Sequence, residues 1–495
     1  MDEPAGRRPL AVEERAIRGV PWTFLSFGAT KLITLATTVV LARLLDPADF
    51  GLMALAMLAF GFLGLFRDLG LGSTLVLRQD LGDRANGTIL TLMIGTAVVV
   101  TVLVAASAPL AAALLDEGRL NSLLPALAAT TVFGSLAWFY ESLLQRDLDF
   151  RRRFVGQLTQ SLGFTVGSIP PALAGAGVWS LVIGQIVSML AYSGVYLLIV
   201  PHRVWPAYDA SIARDAFLTG RGFLAQGWLA WVIQNIDYLI VGRVLGTAQL
   251  GYYSMAYRLS ELTHYGIADP VAKVTFPGFA RMRHEGREIA GAYRAALRLV
   301  ALAVFLIGAI LSGAAEPFTR AVFGPDWEPM IDVLAVLGVW AAAKPIQATV
   351  GWLLNSTGHA GALAVLSAVV VVAEIPLLIV AANQSTAAVA AVVLGETLVS
   401  LAAAAVLVQR RVGPTVRSQA RALAPLVAAG AIGWLASRGC ATLTDGLEPV
   451  LSLALSMAAG VAAYAASIRL LEPGTFAFAR EHVSRAFGRE AQVPA

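Results

Sequence analysis

The stretch Ala360–Ala382, AGALAVLSAVVVVAEIPLLIVAA, decides the class of this fold, because it carries one charged side chain, Glu374, in an otherwise apolar run. A helix rises about 1.5 Å per residue, so a run of about 20 apolar residues spans the hydrocarbon core of a bilayer. Ile89–Leu115 and Val178–Val200 pass the same test without a charge near their middle. Hydrophobic residues make up 57% of the chain and charged ones 14%, with a mean hydropathy of +0.72. That balance excludes a soluble globular protein. Reading outward in windows of about 19 residues gives about fourteen spanning helices, near 21–45, 51–72, 88–115, 122–144, 154–176, 178–200, 217–245, 250–275, 292–314, 328–355, 360–382, 386–409, 418–440 and 447–471. The segment 250–275 is the weakest of these, since it holds Arg258, Glu261, Asp269 and Lys273. The connections are short and carry turn residues such as Asp46–Pro47 and Gly324–Pro325, which leaves no room for a soluble domain.

Charge placement gives the orientation. Arginine clusters recur at nearly every second loop: Arg7, Arg8, Arg15 and Arg18; Arg146 with Arg151–Arg153; Arg203, Arg214 and Arg221; Arg281, Arg283, Arg287 and Arg294; Arg410, Arg411, Arg417 and Arg421; and Arg480, Arg485 and Arg489. The alternate loops hold isolated arginines and the acids Asp326, Glu328 and Asp332. By the positive-inside rule both termini are expected to be cytoplasmic. The charged opening Met1–Gly19 does not read as a cleaved signal peptide. Lysine occurs only at Lys31, Lys273 and Lys344, and this arginine bias, with abundant Ala and Gly, suits a high-GC bacterial genome. The lone Cys440 excludes an internal disulfide and a multi-cysteine metal site.

A weak repeat runs at a shift of two hundred residues, where Arg43–Gly51 (RLLDPADFG) aligns with Arg243–Gly251 (RVLGTAQLG). Both segments leave the first helix of a six-helix unit and enter the second. Two parallel copies imply two lobes that rock about a central cavity. The expected organisation is a cytoplasmic segment 1–20, an N-lobe 21–205, a C-lobe 206–410, two appended helices in 411–475 and a tail 476–495.

An ionisable group at membrane depth costs at least a few kcal/mol, so each demands a partner, a wet cavity or an escape to the interface. Lys31, Arg67, Arg258 and Lys344 are the cations in this position. They form a cationic wall for an anionic head group, or else Lys31 and Lys344 pair with Glu374 or Glu396, Arg258 pairs with Glu261, and Arg67 snorkels to the cytoplasmic end of its helix. Asp237, Glu374 and Glu396 either carry a coupling ion or serve as counter-ions. Glu141, Gln157, Gln160, Gln234 and Asn235 line a cavity or bond between helices, while His264 reads as a packing residue before a proton relay. No phosphate loop, His-Glu-x-x-His site or Gly-x-Ser-x-Gly elbow occurs. No catalytic residue, metal or cofactor is therefore assigned.

Several segments carry a family resemblance: Ala42–Gly51, Phe66–Gly72 followed by Arg78–Asp80, Glu141–Arg151 and Thr275–Met282. Over about residues 10–410 the chain resembles the polysaccharide transporter family, the Wzx-like flippases of O-antigen and exopolysaccharide. The resemblance implies a MATE-like fold of two six-helix lobes, here followed by two C-terminal helices. It also implies a polyprenyl-pyrophosphate-linked oligosaccharide moved from the inner to the outer leaflet of a bacterial plasma membrane. Membrane lipids, and the glycosyltransferases and polymerase of the same pathway, are the partners it implies; no nucleic acid is expected. Two alternatives remain at this point: a cation-coupled multidrug or small-solute antiporter of the same fold, and a membrane glycan polymerase or ligase.

Overall fold

The computed structural model describes residues 12–68, 71, 75, 82–201 and 203–473, and among these the chain is helical without strands. Nine helices are long and apolar enough to cross a membrane by length and composition: α3 (Asp83–Leu115), α4 (Leu120–Arg146), α6 (Val178–Ile199), α9 (Ala290–Gly313), α10 (Met330–Ser356), α11 (Ala360–Ala382), α12 (Thr386–Arg411), α13 (Val416–Leu443) and α14 (Pro449–Leu471). Five more occupy the remaining expected positions: α1 (Val12–Ala42), α2 (Pro47–Asp68), α5 (Phe150–Leu173), α7 (Ala210–Leu245) and α8, which is built from Thr247–Thr263, a turn at His264–Ala268 and Asp269–His284. The polytopic all-α reading is thereby borne out. The N-terminal segment before Val12 and the tail beyond residue 473 lie outside the described residues, as does most of the segment 69–81.

Contacts divide the chain into two compact units, Met1–Gly251 and Tyr252–Ala495. In the first unit α5 is too polar to face lipid on all sides, and its polar stripe is matched by neighbours. Ser26 of α1 donates to Gln157 at 2.5 Å, and the hydroxyls of Thr37 and Thr165 lie 2.7 Å apart. Apolar helices gain nothing from leaving one another's lipid-like surface, so close packing must come from small residues. A methyl group placed on Gly167 of α5 would lie 2.7 Å from Val187 Cβ and 3.0 Å from Gly184 Cα, so α5 and α6 approach only because no side chain intervenes. Ser188 reinforces the seam by donating to the Gln160 carbonyl at 2.9 Å.

The aligned repeat positions meet within this same unit. A Cβ on Gly51 would fall 1.7 Å from the Thr247 carbonyl oxygen, and one on Gly251 would fall 1.9 Å from the Pro47 carbonyl oxygen. Gly51 thus meets Thr247 and Gly251 meets Pro47, a reciprocal exchange where α2 and α8 begin. Both glycines are excluded from substitution by backbone proximity rather than by φ.

The second unit uses the same devices. Gly338 of α10 sits where a Cβ would touch Ser312 N of α9 at 2.6 Å, and Ser312 donates to Ala335 O at 2.6 Å while accepting from Trp434 Nε1 of α13 at 3.0 Å. Tyr293, fully buried at the start of α9, donates to Gln419 of α13 at 3.0 Å. A buried hydroxyl left unpaired costs about 1–3 kcal/mol, so these bonds fix the register of the bundle.

Candidate functional site

Glu261, His264, Tyr265 and Asp269 lie together on α8, beside the segment of α10 that carries Lys344. Their arrangement starts from a break in helical phase. Between Thr263 and Asp269 the chain adopts a π turn, closed by Asp269 N donating to His264 O. One extra residue per turn rotates everything downstream and opens the helix wall, a feature often met at functional positions. Thr263 Oγ1 donates to Ala341 O of α10 at 2.7 Å, which anchors the turn beside the segment that carries Lys344.

Around this turn His264 Nε2 lies 3.7 Å from Asp269 Oδ1, and its ring stacks on Trp352 with centroids 6.1 Å apart at 28°. Among the described residues the buried Nδ1 of His264 has no hydrogen-bond partner. Tyr265 donates to Glu261 Oε1 at 3.1 Å. Lys344 is half-buried in mid-α10, and among the described residues no ion pair joins it to Glu374 or Glu396. Arg258 is exposed, and no ion pair joins it to Glu261.

The carboxylates resolve differently. Glu396 accepts from Thr397 Oγ1 at 3.1 Å, and Thr397 accepts from the buried Trp340 Nε1 at 3.0 Å. Trp340 in turn packs on Tyr257 of α8 at 4.8 Å. Glu396 therefore terminates a chain of contacts that begins on α8. Glu374 is buried on α11, and Asp237 is buried on α7 with Tyr238 N donating to it at 2.9 Å.

In the first unit Lys31 is exposed at mid-α1, and the Arg67 side chain lies outside the described residues. The strongest polar network there sits elsewhere, on Glu141 of α4. Gln157 donates to its Oε1 at 2.9 Å, Arg153 does so at 3.1 Å, and Tyr192 of α6 donates to Oε2. Gln157 and Glu141, left open between cavity lining and interhelical bonding, are thus interhelical. No local sequence signal joins Tyr192 to Glu141, because the pair forms only when α4, α5 and α6 pack.

Residues 40–332, more than half the chain, match the model of a family described as "Polysaccharide biosynthesis protein". The chain belongs to this family. Among its relatives are the succinoglycan biosynthesis transport protein ExoT of Rhizobium meliloti (strain 1021), 29% identical over 340 residues, 67% of each chain, and the lipopolysaccharide biosynthesis protein WzxC of Escherichia coli (strain K12), 24% identical over 356 residues, 70% of each. The teichuronic acid biosynthesis protein TuaB of Bacillus subtilis (strain 168) is 25% identical over 335 residues, 66% of this chain and 69% of TuaB. In fold, the chain resembles the lipid II flippase MurJ in an inward closed conformation, with a TM-score of 0.72 at 14% identity over 94% of this chain and 100% of MurJ. It also resembles an inward-facing multidrug resistance MATE transporter, with a TM-score of 0.60 at 17% identity over 80% and 95%. The polysaccharide transporter resemblance and the MATE-like superfamily fold are borne out.

Proposed function

We infer that this multi-pass membrane protein is a flippase that carries a polyprenyl-pyrophosphate-linked oligosaccharide from the inner to the outer leaflet by alternating access. The family match over residues 40–332 carries this reading, because relatives in that family are named for polysaccharide biosynthesis and one for its transport. Mid-span cations favour an anionic cargo: Lys344 and Arg258 in the second unit, and Lys31 and Arg67 in the first, supply charge for a pyrophosphate. The polar surfaces of α8 and α10 receive the glycan, and the polyprenyl tail stays in lipid. Asp237, Glu374 and Glu396 are the candidates for ion coupling. The protein resides in the bacterial plasma membrane with both termini cytoplasmic, in line with the arginine-rich alternate loops. Glycosyltransferases and a polymerase of the same pathway are its functional neighbours.

A binding experiment tests the choice of cargo. Purified protein is titrated with a short polyprenyl-pyrophosphate disaccharide, and separately with an organic dye cation of the kind multidrug exporters carry. Saturable binding of the first, weakened about tenfold or more in Lys344→Ala, agrees with the reading. Binding of the dye cation alone transfers the protein to the antiporter class.

A further inference from the structure

The end of the second unit that carries the arginine-rich segments holds an open surface pocket of about 270 Å³, apart from the polar residues of α8 and α10. Its wall contains Arg294 and Arg298, one turn apart on α9, and Arg417 and Arg421, one turn apart on α13, with Thr415 and Ser418 beside them. A spacing of four residues puts both members of each pair on one helix face. Since α9 and α13 pack together, the two faces converge on one space.

Charge balance makes this cavity unlike the other arginine sites of the unit. At the opposite end of α13, Arg320 meets Glu328 at 2.8 Å, Glu316 at 3.0 Å and Asp445 at 3.4 Å, and Arg438 meets Glu316 at 3.6 Å. At this end, among the described residues, the four guanidiniums meet one carboxylate, Glu472, which lies 3.5 Å from Arg298. Among the described residues Arg294, Arg417 and Arg421 form no ion pair, and Arg298 Nε is buried without a hydrogen-bond partner. Four like charges around one open pocket raise the local positive potential, which attracts an anion.

The start of α13 does not itself supply the binding groups. Val416 N already donates to Gln409 at 2.8 Å, and Ser418 N donates to the capping Thr415 hydroxyl at 3.2 Å. The available donors are the guanidiniums, whose planar fork matches phosphate oxygens two at a time. Their depth agrees with a head group. Arg294 and Arg298 enter the first turns of a spanning helix, and the adjacent Leu299 and Leu470 are 48% and 81% exposed. Phosphate thus finds cations at the interface level, and acyl chains find uncovered apolar surface next to it. The positive-inside rule asks only for cations in the loop; it does not require four of them to converge on a cavity.

We propose that Arg294, Arg298, Arg417 and Arg421 form a binding site for the phosphate of an anionic lipid head group, separate from the cargo site on α8 and α10. A free phosphate ion offers the same chemistry, so the test separates the two sources. Full-length protein in detergent is titrated with phosphatidylglycerol, phosphatidylcholine and inorganic phosphate, and bound lipid is counted by native mass spectrometry. The wild-type chain retains phosphatidylglycerol over phosphatidylcholine. Arg294→Gln/Arg421→Gln weakens that retention roughly thirtyfold, about fivefold per arginine, whereas Arg438→Gln at the other end leaves it unchanged. The Arg294→Lys/Arg421→Lys pair keeps the charge and a folded chain while losing the two-pronged contact, so it falls between. Binding of inorganic phosphate at comparable concentrations without preference for phosphatidylglycerol assigns the site to a free anion. Equal retention of phosphatidylglycerol and phosphatidylcholine, or wild-type retention by the Gln pair, overturns the proposal.

Discussion

At the residue scale, a buried charge is stabilising only while its partners stay in place. Glu141 and Arg153 lie within the bundle, with side chains 13% and 22% exposed, and are joined by Gln157 and Tyr192. Breaking such a pair by removing one partner costs about 3–5 kcal/mol, because the other charge stays behind. Glu141→Ala is therefore expected to lower the thermal unfolding midpoint clearly, and Glu141→Ala/Arg153→Ala to lower it less. An equal loss in both would mean that the two do not act as a pair. Asp209, which caps α7 outside the spans, gives a pH-dependent case. Hydrogen bonds from the Ser211 hydroxyl, from Ser211 N and from Ile212 N, with Arg84 at 3.4 Å, hold its carboxyl below the usual carboxylate range. A lowered folded value means that the stabilisation is complete above the ordinary Asp value of about 3.9 and is lost as pH falls below it. The stability gap between wild type and Asp209→Ala should hold from neutral pH to about pH 5 and shrink below about pH 4. A gap independent of pH would assign the cap to packing.

At the scale of elements, helix positions were legible because apolar length is a property of the local sequence. Ala360–Ala382 was expected at 360–382 and forms α11 over that range. What the sequence could not show is phase. The charges of 250–275 marked a weak span, and the physical reason is the π turn at His264–Ala268, which divides α8 and turns Asp269 toward His264. Periodicity in an α-helical window cannot reveal an inserted residue. The site was legible in part for the same reason. Lys344 and Arg258 were picked out by depth alone, whereas the links of Tyr257 to Trp340 and of Trp340 to Thr397 and Glu396 exist only after α8, α10 and α12 pack. Close crossings supply this scale's prediction. Gly167→Leu drives a side chain into Val187 and should cost about 1–3 kcal/mol by overpacking, visible as a lower unfolding midpoint. Gly51→Leu meets backbone at 1.7 Å, where no rotamer change relieves the clash, so α2 and the start of α8 must separate. Leaflet transfer is then expected to fall at least about tenfold while membrane insertion persists, since the spans themselves are unchanged. Normal transfer by Gly51→Leu would show that this crossing is dispensable.

For the whole molecule, the all-helical membrane class is legible in the sequence because hydropathy answers to the bilayer rather than to tertiary packing, and the arginine-rich alternate loops propose cytoplasmic termini. Reporters fused after residue 495 and inserted near residue 445 should read cytoplasmic and external respectively; the reverse would invert the assigned direction of transport. In the proposed transport, mid-span cations grip the pyrophosphate of a lipid-linked glycan during its passage between leaflets. The most direct test is leaflet transfer of a polyprenyl-pyrophosphate oligosaccharide in proteoliposomes, comparing the wild-type chain with Lys31→Ala and Lys344→Ala at equal folded protein. Transfer by the wild type and a loss of at least about tenfold in each variant are expected. Undiminished transfer by both variants would contradict this reading.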